Sequence, residues 1–338
     1  MQHNKWTHSM NTIKCSQDSD IFRFVLNKRR IISSILTRED RRLLVIIGPC
    51  SVYDYDASMS YMEKLSEAGR KFKDKLEIVA RVYLEKPRTS EGWRGMLYEP
   101  VVDNCKYPFG LHDSISLLRD ISKLQLPIAT EFLSLNAYDS ISDYISYGAI
   151  GARTVLSQPH REMASDLNLP IGFKNEISGC YSSTLDAIKF SAQRNTIYRH
   201  SSLHDEPLLH ETRGNKNTNT ILRGGRRKNY FIEDVCEYNS KALSRNIKTK
   251  PIIDASHGNS NKSCIEQINV LKYICNNINE INYDISGVMI ESFLEDGNQT
   301  ISENLTFGQS VTDECIGISK SISILDELYE SYRLPSGK

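Results

Sequence analysis

The 338-residue sequence has no excess of either charge: 42 Lys and Arg stand against 42 Asp and Glu. A general nucleic-acid or anionic-membrane binder would carry a basic surplus, so neither partner is expected. No apolar run approaches the roughly 20 residues that a membrane span needs. The first twenty residues contain no apolar stretch of the signal-peptide kind, which predicts a cytoplasmic protein. The three Asn-x-Ser/Thr matches, at Asn261, Asn298 and Asn304, then read as chance. None of the eight cysteines (15, 50, 105, 180, 236, 264, 275 and 315) shares a C-x-x-C spacing, so they read as thiols. Gly48 opens no G-x-G-x-x-G, which removes a dinucleotide-binding reading.

What is there is alternation. Short β-branched runs exchange with segments of helical period, the pattern of a parallel α/β fold. The runs at 43–51, 76–83, 127–133, 150–156, 170–175, 218–225, 251–257 and 285–294 predict strands, and 57–72, 114–124 and 263–278 predict amphipathic helices. Eight such units predict a closed (β/α)8 TIM barrel over an open sheet. Residues 1–38 read as an N-terminal extension with one helix over 21–36. Residues 39–338 read as the barrel, and the polar stretch 198–217 as an insert before strand six.

In such a barrel the C-terminal strand ends carry the chemistry. Those ends deliver, in order, Cys50, Arg81 with Lys86, Glu131, Arg153, Lys174, Arg223, His257 and Glu291. Each alone has an ordinary structural explanation; eight at one rim point to a site. Cys50, His257 and Glu291 become neighbours only if strands one, seven and eight meet, and Asp313 is a candidate fourth member. Thiolate, imidazole and carboxylate together suit Zn, Fe or Mn better than the all-oxygen cage of Mg or Ca. By spacing alone, Cys50 reads equally as a small buried hydrophobe. Arg81, Lys86, Arg88, Arg153, Lys174 and Arg223 form a second group. Six converging cations in a neutral chain imply an anionic ligand, and arginine forks suit phosphate and carboxylate. A lysine whose pKa is depressed by such neighbours is also a candidate proton donor. Together the two groups describe a metal-assisted transferase or lyase acting on phosphorylated carbon skeletons.

The segments GPCSVYDYD (48–56), RVYLEKPRTSEGWRG (81–95), ATEFL (129–133), GAIGARTVLSQPHRE (148–162), PIGFKN (170–175), ILRGG (221–225), DASHGNSNKS (254–263), GVMIESFLEDGNQ (287–299) and SVTDECIG (310–317) carry a resemblance. Together they resemble class I 3-deoxy-D-arabino-heptulosonate-7-phosphate (DAHP) synthase, of the phenylalanine/tyrosine-type branch. The resemblance implies a divalent metal (Mn, Fe, Co or Zn) and a homodimer or homotetramer. It implies condensation of phosphoenolpyruvate (PEP), erythrose 4-phosphate and water to DAHP and phosphate, the first step of the shikimate pathway to aromatic amino acids. It further implies Cys50, His257, Glu291 and Asp313 as metal ligands. Arg81, Lys86, Arg94, Glu131, Arg153, Lys174 and Arg223 then surround PEP, with Arg88 and Thr89 on the aldehyde's phosphate. Lys86, Cys50 and His257 are the expected catalytic residues. Cys315, two residues beyond Asp313, is expected near Cys50, where oxidation could join them.

The sequence departs from the family's pattern at Ala255, Gly258, Phe293 and Glu176, which are expected to lie where the aldehyde is sensed. It also lacks the D-x-R-I segment, and its 198–217 insert lacks the family's T-K-x-G-H-S-A-I-V, which predicts weak inhibition by aromatic amino acids. The alternatives are a related enzyme using a modified four-carbon aldehyde phosphate, the sister 3-deoxy-manno-octulosonate-8-phosphate synthase, and a non-catalytic regulatory barrel. Lys86-Pro87-Arg88-Thr89 is the DAHP form, against the sister enzyme's K-A-N-R-S.

Overall fold

A computed structural model describes residues 19–99, 110–199 and 208–334. Strands β1 (Leu43–Gly48), β2 (Leu76–Arg81), β3 (Ile128–Glu131), β4 (Tyr147–Ile150) and β5 (Ile171–Lys174) run parallel, each beside the next. An antiparallel hairpin, β6 (Thr196–Arg199) and β7 (Leu208–Glu211), follows outside the sheet. Strands β8 (Thr218–Leu222), β9 (Ile252–Asp254) and β10 (Gly287–Phe293) continue it, and β10 pairs parallel with β1. That last pairing closes an eight-stranded parallel barrel, the TIM-barrel architecture expected from the alternation. A short β11 (Ile316–Gly317) adds to the upper end of β10.

The helices are α1 (Ser19–Leu36), α2 (Tyr55–Phe72), α3 (Gly110–Lys123), α4 (Tyr138–Ile141), α5 (Gln158–Asp166), α6 (Ser182–Ser191), α7 (Ile232–Ser244), α8 (His257–Ser260), α9 (Cys264–Asn277) and α10 (Ile318–Ser331). None among the described residues is long and apolar enough to cross a membrane. Helix α2 starts where Asp54 accepts the Ala57 amide at 2.7 Å, a side-chain N-cap.

Every residue of β1 is buried because the barrel covers both faces of its strands. Leu43, Val45 and Ile47 face the helices, whereas Leu44 and Ile46 join an inner cluster with Val79, Ala129, Tyr147, Ile221, Ile252 and Met289. The same inner cluster holds Ile32, Ile35 and Leu36, so α1 packs its apolar stripe over the lower end of the barrel. Arg29 fastens it there by donating to the carbonyls of Ile145 (2.9 Å) and Ser142 (2.7 Å). With the bottom plugged, the open upper end is where a ligand can enter.

Strand four lies earlier than expected, at Tyr147–Ile150 in place of 150–156. Beyond it the chain turns, with the amides of Thr154 and Val155 both returning to the Gly151 carbonyl at 3.0 Å. Val155 therefore packs from a turn, and the true strand is disguised by small residues of low β propensity. Gly148 is one of these: a Cβ there would come within 2.6 Å of the Phe132 ring. The 198–217 stretch also differs from a plain polar loop, since its described ends form the β6–β7 hairpin; residues 200–207 lie outside the described set.

Candidate active site and metal centre

The strands end early, and the side chains expected at the rim lie on or just past those ends. Cys50 follows β1, Lys86 and Arg88 lie in the loop after β2, and Arg153 lies in the turn after β4. Arg223 and His257 follow β8 and β9, while Arg81, Glu131 and Lys174 are last residues of their strands. They surround one cavity of about 480 Å³ lined by Cys50, Arg81, Lys86, Arg88, Thr89, Glu131, Arg153, Lys174, Arg223, His257 and Asp313, among others. The structure thus brings these strand-end residues to one end of the barrel; Glu291, inside β10, is not among the lining residues.

At the cavity's base, donor atoms of Cys50, Glu291 and Asp313 all lie within 4.8 Å of one another. His257 adjoins this group, its Nε2 3.6 Å from Glu291 Oε1, with Nδ1 2.8 Å from Asp254. The His257 backbone has φ of +49°, a left-handed conformation that a non-glycine residue adopts only when its surroundings enforce it. Glu291 is fully buried, yet neither of its carboxylate oxygens accepts a hydrogen bond from the described residues. Arg81 faces Oε1 as an ion pair, but Oε2 is buried with no partner among the described residues, which is expensive unless a further cation completes it. Thiol, two carboxylates and an adjacent imidazole therefore fit a divalent transition ion, both by chemistry and by this unmet need.

The cations around the group are paired. Arg81 places Nη2 2.9 Å from Glu291 Oε1, while its Nη1 donates to the Pro49 carbonyl. Lys86 donates to Cys50 Sγ at 3.0 Å and to Asp313 Oδ2 at 3.2 Å. The sequence reading expected cationic neighbours to depress the Lys86 pKa; the structure reverses this. Burial does act downward, but Cys50, Asp313 and Glu291 outweigh it and hold the ammonium well above its ordinary range. Burial drives Asp313 upward, and Lys86 and Lys262 more than reverse that, so it stays ionised. Across the cavity, Lys174 and Glu131 form a buried pair at 2.5 Å. Gly151 makes room for it, since a Cβ there would meet Glu131 Oε1 at 2.5 Å.

Arg94 is not brought into this cavity. It lines an adjoining space of about 380 Å³, stacks over Tyr98 and pairs with Glu99 at 3.1 Å. Cys315 does arrive beside the metal group, accepting the Cys50 amide at 3.4 Å, and both sulfurs are free thiols.

Four residues that sequence reasoning passed over also shape the site. Tyr83, Glu85 and Lys262 line the cavity, and Asp254 stands behind His257. Glu85 is buried and accepts the amides of Leu133 and Ser134 and the Tyr98 hydroxyl, tying the loops after β2 and β3 together. The signal was weak: Tyr83 and Asp254 read as strand residues, and Glu85 and Lys262 as loop charges.

The positions expected to sense the aldehyde do not line the cavity. Ala255 is packed in the core, and Phe293 sits between Tyr53 and Tyr61 with ring centroids 6.1 and 5.9 Å away. Gly258 serves packing, as a Cβ there would approach the Gly225 nitrogen to 2.6 Å. Glu176 is absent from the lining, which its neighbour Ile177 joins. We therefore expect Phe293→His to destabilise the fold by about 1–3 kcal/mol, the cost of a poorly satisfied buried polar group. The KM for the aldehyde should stay within about twofold, because no contact to the cavity changes. Thermal unfolding and steady-state kinetics together check both halves.

A metal-suited donor group beneath a cationic cavity, at the C-terminal face of a closed parallel barrel, defines an enzyme-type site for phosphorylated anions. Residues 14–326 match the model of the DAHP synthetase I family, and the chain belongs to that family. It is 43% identical over 311 residues to the Trp-sensitive phospho-2-dehydro-3-deoxyheptonate aldolase of Enterobacter agglomerans, covering 90% of this chain and 89% of the relative. It is 39% identical to the Trp-sensitive enzyme of Escherichia coli K12, covering 90% and 88%. Among solved structures, phospho-2-dehydro-3-deoxyheptonate aldolase from Francisella tularensis superimposes with a TM-score of 0.90 at 40% identity, covering 95% of this chain and 96% of that one. A Thermotoga maritima DAHP synthase, at 17% identity and a TM-score of 0.59 over 86% and 69%, shares the fold. The relatives' names read Trp-sensitive, so they do not support the phenylalanine/tyrosine branch.

Proposed function

We propose that this chain condenses PEP with erythrose 4-phosphate and water, giving DAHP and inorganic phosphate at the head of aromatic amino-acid synthesis. The observation that carries the reading is the convergence of Arg81, Lys86, Arg153, Lys174 and Arg223 on one cavity above a metal-suited base. Cys50, Glu291, Asp313 and His257 would hold a divalent ion (Mn, Fe, Co or Zn), which when bound supplies Lewis acidity toward a carbonyl oxygen.

The remaining steps belong to side chains. Arg81, Arg153, Lys174 and Arg223 take the phosphate and carboxylate of PEP, and Arg88 and Thr89 take the phosphate of the aldehyde. Held at both ends, C3 of PEP and C1 of the aldehyde meet in register, and this positioning supplies much of the rate. Lys86, kept protonated by its anionic neighbours, gives its proton to the alkoxide that forms at C1. Water adds at C2, and the hemiketal phosphate collapses with loss of phosphate. Arg94 is left outside this set because Glu99 and Tyr98 hold it. Among the described residues the departures Phe293, Ala255 and Gly258 are engaged in packing, which favours the ordinary aldehyde over a modified one.

The test is phosphate release from PEP with added Mn²⁺, run against a panel of aldose phosphates. Release that depends on erythrose 4-phosphate is expected; release with a five-carbon aldose phosphate alone, or none at all, overturns the reading. In the same assay we expect weak inhibition by tryptophan, tyrosine and phenylalanine, because the N-terminal segment and insert lack the family's usual residues. Strong sub-millimolar inhibition by any one would refute that. We also propose a cytoplasmic homodimer or homotetramer, supported by exposed Tyr198, Leu208 and Leu209 on the β6–β7 hairpin.

A further inference from the structure

Two of the cavity's cations share one aromatic ring. Tyr83, in the loop after β2, is buried and belongs to the inner apolar cluster, yet it also lines the cavity. The Arg81 guanidinium carbon lies 3.7 Å from its ring centroid, and Lys174 Nζ lies 4.7 Å from it. Both cations are themselves buried; among the described residues Arg81 is ion-paired with Glu291 and Lys174 with Glu131, and the buried Asp254 carboxylate acts on both. When an anionic substrate arrives, those cations must remain in place without water beneath them. An aromatic face provides this: its negative quadrupole attracts a cation while its body excludes solvent. The hydroxyl, in contrast, donates among the described residues to Met289 Sδ at 3.7 Å, a weak acceptor in the barrel core.

We propose that Tyr83 is a positioning residue for PEP, its ring forming the common platform that fixes the spacing of Arg81 and Lys174. This rests on the assignment of those two cations to PEP. The ring is what matters, and the hydroxyl is dispensable. The platform serves PEP, because among the described residues the cations stacked on the ring are Arg81 and Lys174, and the groups assigned to the aldehyde phosphate are Arg88 and Thr89.

The experiment is calorimetric titration of PEP into Mn²⁺-loaded enzyme, parent and variants, alongside KM for erythrose 4-phosphate. Tyr83→Phe should bind PEP within about twofold of the parent, whereas Tyr83→Leu should weaken it about tenfold at unchanged aldehyde KM. A leucine there could disturb packing, so a series with mono-, di- and trifluorophenylalanine at position 83 keeps the ring's shape while draining its negative face. The Kd for PEP should climb stepwise with fluorine at constant Tm. A flat series, or a loss in Tyr83→Phe equal to that in Tyr83→Leu, overturns the platform while leaving PEP binding by the parent intact. Failure of the parent itself to bind PEP would instead overturn the assignment on which the platform rests.

Discussion

Cys50→Ala is expected to lose the divalent ion and to lower kcat about a thousandfold or more. Cys50 is the sole sulfur donor in a group whose atoms all lie within 4.8 Å, and alanine leaves no ligand there. Lewis-acid stabilisation contributes several kcal/mol to such reactions, and each 1.36 kcal/mol is tenfold in rate. The loss should be visible without turnover. Elemental analysis of the purified variant should find little bound metal, and added Mn²⁺ should raise its Tm far less than the parent's, since ligand binding to the native state alone stabilises it. Asp313→Asn should behave similarly but less severely, because an amide oxygen can still coordinate. A Cys50→Ala enzyme with full metal content and full activity would show that the sulfur is only a small buried hydrophobe.

Lys174→Met carries the second large effect, on stability and on PEP together. Lys174 and Glu131 are a buried pair at 2.5 Å with side-chain exposures of 5% and 7%. Removing one partner of such a pair typically costs about 3–5 kcal/mol, because the other charge is left without compensation. In the parent, burial pushes the Glu131 carboxyl upward, and Lys174 more than reverses this, leaving it below its ordinary range. Its contribution is therefore complete above the pKa of an unfolded glutamate, about 4.3, and is lost only as pH falls through the lower native value. Without Lys174 the burial penalty has lost its chief counterweight, and native Glu131 should titrate above the unfolded glutamate. Folding then favours the protonated form, so the variant's deficit should grow as pH rises through that value and shrink on acidification. The double variant Lys174→Met/Glu131→Gln should recover most of the stability in denaturant unfolding without recovering PEP affinity. Equal stability of parent and single variant at neutral pH would mean that the pair contributes nothing.

Part of this site was legible before any coordinates. Cys50, Arg81, Glu131, Lys174 and His257 could be placed at one rim because a parallel α/β repeat fixes which end of each strand points the same way. The convergence of six cations in a neutral chain then implied an anion. Neither argument could fix the partners. Lys86 was expected among cations, but it folds against Cys50 and Asp313, which are 36 and 227 residues away in sequence. That contact exists only because β1, β10 and the loop after β10 meet when the barrel closes.

Phe293 and Arg94 mark the same limit. Both stand close in sequence to site residues, yet neither reaches the cavity. Past the barrel's own ladder, which on β10 ends at the Gly48–Glu291 pair, the two-residue alternation of side chains no longer dictates direction, and packing against neighbouring helices and loops takes over. Thus Phe293 is drawn between Tyr53 and Tyr61, and Arg94 onto Tyr98 and Glu99. Strand four was misread for a related reason, its small residues Gly148 and Ala149 answering to Phe132, just past β3, and to Glu131 at the end of β3. Hydrophobic period and residue type along the chain determined the barrel, its polarity and the chemical kind of its site. Which carboxylate each cation answers to, and which aromatic ring lies beneath two of them, was decided only by tertiary contact, because those distances depend on residues far apart in sequence.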